Sequence, residues 1–104
     1  MYMLRRVFKI DKRQLSVRER QIEERVGNYV KAKQGQWIKL TGTKGIPDRM
    51  ILLPQGKVGF LEMKRPGNKT SAMQDIWLDR LRALGFKATW SDNYEDSVKF
   101  VESL

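Results

Sequence analysis

The chain has 104 residues, 21 of them Lys or Arg and 12 Asp or Glu, giving a formal charge of +9, and it contains neither cysteine nor histidine. That length suits one hydrophobic core, and the positive surplus points to a polyanionic partner, nucleic acid before an acidic membrane. The two missing residue types exclude zinc fingers, thiol nucleophiles and histidine general bases, so any catalysis falls to carboxylates, lysines, hydroxyls or a hard cation on oxygen ligands.

Residues 1–15 read as a basic arm, with Arg5, Arg6, Lys9, Lys12 and Arg13 against Asp11. The arm lacks the continuous apolar stretch of a signal peptide or membrane span, and with no cysteine to oxidise the expectation is a soluble, cytoplasmic protein. A domain over 16–104 follows. From Ser16 to about Lys33 the spacing predicts a helix: Ser16 can cap, Glu19 lies three residues on, and Ile22, Val26, Tyr29 and Val30 recur on one face. "QWIKL" reads as a short strand and "TGTKGIP" as a loop. "DRMILLP" and "KVGFLEMK" are apolar runs of strand length on either side of Pro54, Gln55 and Gly56, which predicts an antiparallel hairpin.

After Pro66 and Gly67, Thr70 and Ser71 offer a cap to a second helix, whose face carries Met73, Ile76, Trp77, Leu81 and Leu84 before Gly85 ends it. "FKATW" supplies another strand, and the final segment a helix with Asp92, Glu95 and Asp96 near its positive end. The order αβββαβα is that of an α/β fold, a mixed sheet flanked by helices. Trp37, Trp77 and Trp90 are assigned to the core.

The hairpin gathers charge. Side chains two apart on a strand share a face, so Glu62 and Lys64 point together, and pairing the two runs sets Asp48 beside them. Adjacent carboxylates repel unless a cation lies between them, and magnesium takes carboxylate oxygens and water readily. A bound water acidified by such an ion, with Lys64 to stabilise charge on a phosphate oxygen, suggests metal-dependent phosphodiester hydrolysis. The same three charges also fit a plain cross-strand ion pair with Asp48 capping a turn.

"GIPDRMILLPQGKVGFLEMKRPG", preceded by "RQIEERV" and followed by "SAMQDIWLDRLRALGF", resembles the small phage-type VRR-NUC domains of the PD-(D/E)XK nuclease superfamily, from about Ser16 to Phe100. The resemblance implies a restriction-endonuclease-like core in which Asp48, Glu62 and the backbone carbonyl of Met63 bind Mg2+ or Mn2+ and Lys64 is the catalytic lysine. It implies Glu23 as a helical acid completing the site and Gln74 as a glutamine near the lysine and the scissile phosphate. Glu24 lies about 100° from Glu23 around the helix, and the apolar face through Ile22, Val26 and Val30 does not choose between them; Glu23 comes from the motif.

Lys39, Lys44, Arg49, Arg65 and Lys69 fall around the predicted site and suit backbone phosphates. No base-reading element is recognisable, so selectivity is expected from DNA shape. The resemblance further implies a homodimer on branched DNA such as Holliday junctions, where two active sites suit a two-fold substrate. A basic, non-catalytic nucleic-acid-binding module is the rival reading, as is a nuclease acting on DNA ends or RNA.

Overall fold

The computed structural model describes residues 12–104. Along these the chain runs α1 (Lys12–Ala32), β1 (Gln36–Lys39), β2 (Arg49–Leu53), β3 (Lys57–Met63), α2 (Ala72–Ala83), β4 (Lys87–Ser91) and α3 (Tyr94–Ser103). The αβββαβα order read from the sequence is the one observed. The N-terminal segment read as an arm falls outside the described residues through position 11. Its remainder is helical: α1 begins at Lys12, so Ser16 lies inside the helix rather than capping it. No described helix is long and apolar enough to cross a membrane.

The four strands form one sheet in the order β1-β2-β3-β4, antiparallel between β1, β2 and β3 and parallel between β3 and β4. The antiparallel pairs need only short connections, whereas the parallel pair needs the crossover that α2 supplies. The β2–β3 turn is tight: Gln55 and Gly56 both take positive φ, at 71° and 74°, the conformation that reverses two right-twisted strands in a short loop.

Alternation along the strands sorts the sheet into two faces. Ile51, Leu61 and Met63 pack with Val26 and Val30 of α1 and Val101 of α3. Phe60 and Ala88 pack with Leu78 and Leu81 of α2 on the other face. Both faces of the central strands are therefore covered, which is why "RMILL" and "GFLEM" read as near-continuous apolar runs. Each fully buried aliphatic side chain is worth about 1.5–3 kcal/mol, so the two clusters are what hold the charged ends of β2 and β3 in place.

Helix α1 lies close on the sheet because Gly27 faces Trp37: a Cβ on Gly27 would come within 2.6 Å of the indole. Trp37 and Trp77 are half-buried against the two clusters, as expected of core residues. Trp90 is not a core residue. It is 38% exposed, near the C-terminal end of β4, an edge strand of the sheet.

Candidate active site

The β2–β3 register pairs Arg49 with Leu61 and Met50 with Phe60. Continuing it by one step sets Asp48 across from Glu62, as the hairpin reading requires. Asp48 and Glu62 share the parity of Met50 and Phe60 and so project toward the α2 face, while Arg49, one residue on, projects toward α1. Two neighbouring charges thus serve opposite sides of the same sheet end.

On the α2 face, Glu62 is only 3% exposed. Its Oε2 accepts from Gln74 Nε2 at 3.1 Å and lies 3.6 Å from Lys64 Nζ. Its Oε1 is buried with no hydrogen-bond partner among the described residues. Burial first, then the neighbouring Asp48 carboxylate, push the Glu62 carboxyl up to about 7, against the opposing pull of Lys64. Asp48 is oriented by the backbone: its Oδ2 accepts from the Met63 amide at 3.2 Å. The Met63 side chain is buried on the other face, so only its main chain belongs to the site.

Gln74 reaches Glu62 because of how α2 starts. Ser71 is the N-cap; its hydroxyl accepts from the Gln74 amide at 3.2 Å, and Gln74 Oε1 accepts from the Ser71 amide at 2.8 Å. The cap anticipated from Thr70 and Ser71 falls on Ser71, and the reciprocal bond from Gln74 completes a capping box that the sequence reading did not include. The carboxamide oxygen is thereby occupied by the cap, and the NH2 group is turned toward Glu62.

On the α1 face, Glu23 is half-buried and Oε2 accepts from both Nε and Nη2 of Arg49, the former at 3.0 Å. Glu24 is exposed, so Glu23 is the member of the adjacent pair on the sheet side. Glu23 is engaged by Arg49 rather than by Asp48 or Glu62. The acid that senses the carboxylates is Glu19, one turn earlier: burial, then Asp48, then Glu23 raise its pKa, while Arg65 and Lys64 oppose them. The capping-box reading of Ser16 and Glu19 hid that role. The available signal was the four-residue spacing of Glu19 and Glu23, which puts them on one helical face.

Of the basic residues singled out, Arg49 and Arg65 are half-buried near the carboxylates, while Lys39, Lys44 and Lys69 are exposed. Among the described residues no three acidic side chains already converge on one point. The donor set at the end of the sheet is nevertheless all oxygen, with one buried carboxylate oxygen unsatisfied beside a second carboxylate. That is the chemistry a hard divalent cation completes.

The family model of the VRR-NUC domain matches residues 12–92. This chain belongs to the VRR-NUC domain family. A curated relative, "Putative nuclease p44" of Acyrthosiphon pisum secondary endosymbiont phage 1, is 36% identical over 81 residues, covering 76% of this chain and 87% of the relative. A solved structure of a VRR-NUC domain superposes with a TM-score of 0.75 at 25% identity, covering 82% of this chain and 95% of that one. Membership makes this VRR-NUC domain a nuclease by family, and the matched segment contains all six residues singled out for the candidate site, Glu23, Asp48, Glu62, Met63, Lys64 and Gln74.

Proposed function

We propose that this VRR-NUC domain is a Mg2+- or Mn2+-dependent endonuclease of the PD-(D/E)XK kind that hydrolyses DNA phosphodiester bonds. Its preferred substrate is branched DNA such as Holliday junctions, cut by a homodimer in the cytoplasm, which is the host's if a phage encodes the protein. The observation that carries the reading is the unsatisfied, buried Oε1 of Glu62 beside Asp48. An uncompensated carboxylate in that position costs stability, and a cation on both carboxylates offsets it.

Asp48 and Glu62 would hold the ion, with the Met63 carbonyl as a further ligand and an acid of α1 completing the shell. When bound, the ion supplies an acidified water near neutral pH. The protein does the rest. Gln74 fixes the Glu62 carboxylate through its NH2 group, and the Met63 amide fixes Asp48. Lys64, held at the end of β3 by its backbone bond to Ser91, would present its ammonium to the phosphate as a water oxygen bonds to phosphorus, losing its proton to solvent, and the ester P–O bond breaks, the leaving alkoxide taking a proton from solvent.

The full chain with a four-way junction and Mg2+ or Mn2+ should cut, whereas Asp48→Ala and Lys64→Ala should fold normally and cut on the order of a hundredfold slower or worse. Full activity in either variant would sink the assignment. The 3.6 Å Glu62–Lys64 contact also suits a purely structural ion pair in a DNA-binding module. Calorimetry separates the two, since that module would bind DNA without binding Mn2+.

A further inference from the structure

The proposed chemistry leaves unused a cleft on the α1 face. It measures about 540 Å3 and lies between α1 and the β1–β2 pair, walled by Arg20, Glu24 and Lys31 on the helix and by Trp37, Lys39 and Arg49 on the sheet. Its size is that of a ligand site, about 300–1,000 Å3, but its walls are mainly charged, unlike the apolar lining of small-molecule pockets. Four cations face two acids, and one of those acids, Glu23, is already paired with Arg49.

The helix contributes its cations in a line. Arg20, Glu24, Gly27 and Lys31 lie along one stripe of α1, and the eleven residue steps from Arg20 to Lys31 span about 16 Å. Measured along a duplex axis, that distance covers the rise of about five phosphates of one strand, at ~3.4 Å each. Gly27 in the middle of the stripe is buried under Trp37, whose indole takes the place a side chain would fill and forms the floor of the cleft.

Arg49 ties the cleft to the cut site. It directly follows Asp48, its guanidinium lies 5.0 Å from the Trp37 ring centroid, and Glu23 takes Nε and Nη2. Stacking and the ion pair fix the plane of the guanidinium. The Nη1 edge has no hydrogen-bond partner among the described residues, and a flat donor edge held in this way suits a phosphate oxygen.

Building on the nuclease reading, we propose that this cleft is the track along which one strand of the DNA substrate runs away from the cut site, with its phosphates on Arg20, Lys31, Lys39 and the Nη1 edge of Arg49. Contacts of this kind read no sequence, in keeping with an enzyme selective for DNA shape.

The test compares the wild-type chain with an Arg20→Ala/Lys31→Ala variant and a Lys33→Ala/Lys57→Ala control of equal charge. The control pair lies by the hairpin turn, at the far end of β2 and β3 from Asp48. Anisotropy with labelled duplex DNA in metal-free buffer, over a range of salt, reads affinity, and single-turnover cleavage at saturating protein reads chemistry. The track variant should bind about tenfold more weakly than the control, and its slope of log affinity against log salt should be shallower than wild type by about 2. Its cleavage rate once bound should match wild type. If the track variant binds as the control does, the track is refuted while the nuclease reading stands. If the wild-type chain neither binds nor cuts DNA, the nuclease reading fails and the track with it. Tighter binding of duplex RNA through the same two residues would overturn DNA as the occupant.

Discussion

Replacing Glu62 by Gln should stabilise the metal-free protein at alkaline pH while abolishing cleavage. A carboxyl whose pKa is raised on folding binds its proton more tightly in the folded state. Its contribution to stability is therefore fully present below its unfolded pKa, near 4.5, and is lost as the pH rises through about 7. The displacement from 4.5 to about 7 corresponds to roughly 3 kcal/mol forfeited by pH 8. Gln cannot ionise, keeps an oxygen for the Gln74 NH2 group, and replaces the carboxylate that Asp48 repels with a neutral group. Urea denaturation in EDTA at pH 5 and pH 8 measures the effect. Wild type should lose up to about 3 kcal/mol between the two pH values relative to the variant, equivalent to on the order of 10 °C in Tm. Adding Mn2+ at pH 8 should restore wild type and leave the variant unchanged. Parallel stability profiles for the two proteins from pH 5 to 8 would show that Glu62 is not held in a desolvated, repelled state, and the argument for a cation would lose its basis.

Mn2+ affinity of the wild type should rise about tenfold per pH unit below 7 and level off above it, because the ion displaces the Glu62 proton; calorimetry in matched buffers reads the slope. Gln74→Glu keeps the acceptor that the Ser71 cap requires but replaces the donor to Glu62 with a repelling carboxylate, so helix content should hold while cleavage falls. Gly27→Ala, despite a helix-propensity gain of about 1 kcal/mol, should be net destabilising by denaturant midpoint, since its methyl group would force Trp37 off the helix. Glu19→Gln should weaken Mn2+ binding more than Glu23→Gln does, because Asp48 acts on Glu19 while Arg49 holds Glu23. The Glu23 change should register instead as a loss of about 1.5–3 kcal/mol in stability.

The clustering of Asp48, Glu62 and Lys64 in the candidate site was legible in the sequence because it is local. A short turn fixes the β2–β3 register, and register with strand parity is enough to bring Asp48, Glu62 and Lys64 together. The helices were legible as elements, from their periodic faces and from the Ser71 cap. The partners that span the fold were not. Glu23 and Arg49 are 26 positions apart, and their pairing depends on how closely α1 approaches the sheet, which Gly27 and Trp37 decide in three dimensions. Glu19 was obscured by a second plausible local role as the partner of a cap at Ser16, which the extra turn of α1 from Lys12 removes. Trp90 was misassigned for a similar reason: aromatic character marks a residue as buriable, but strand order decides whether anything covers it, and β4 lies at an edge.

The Ser71 cap ties the lifetime of the assembled site to the fraying of one helical turn. Gln74 closes the box at the start of α2 with its oxygen and steadies Glu62 with its nitrogen, so every opening of that turn also releases the carboxylate. The amide of Gln74, bonded to the Ser71 hydroxyl, is then a built-in reporter. Its hydrogen-exchange rate measures how often the site comes apart, and an ion seated on Glu62 should slow that exchange without touching the far end of the helix.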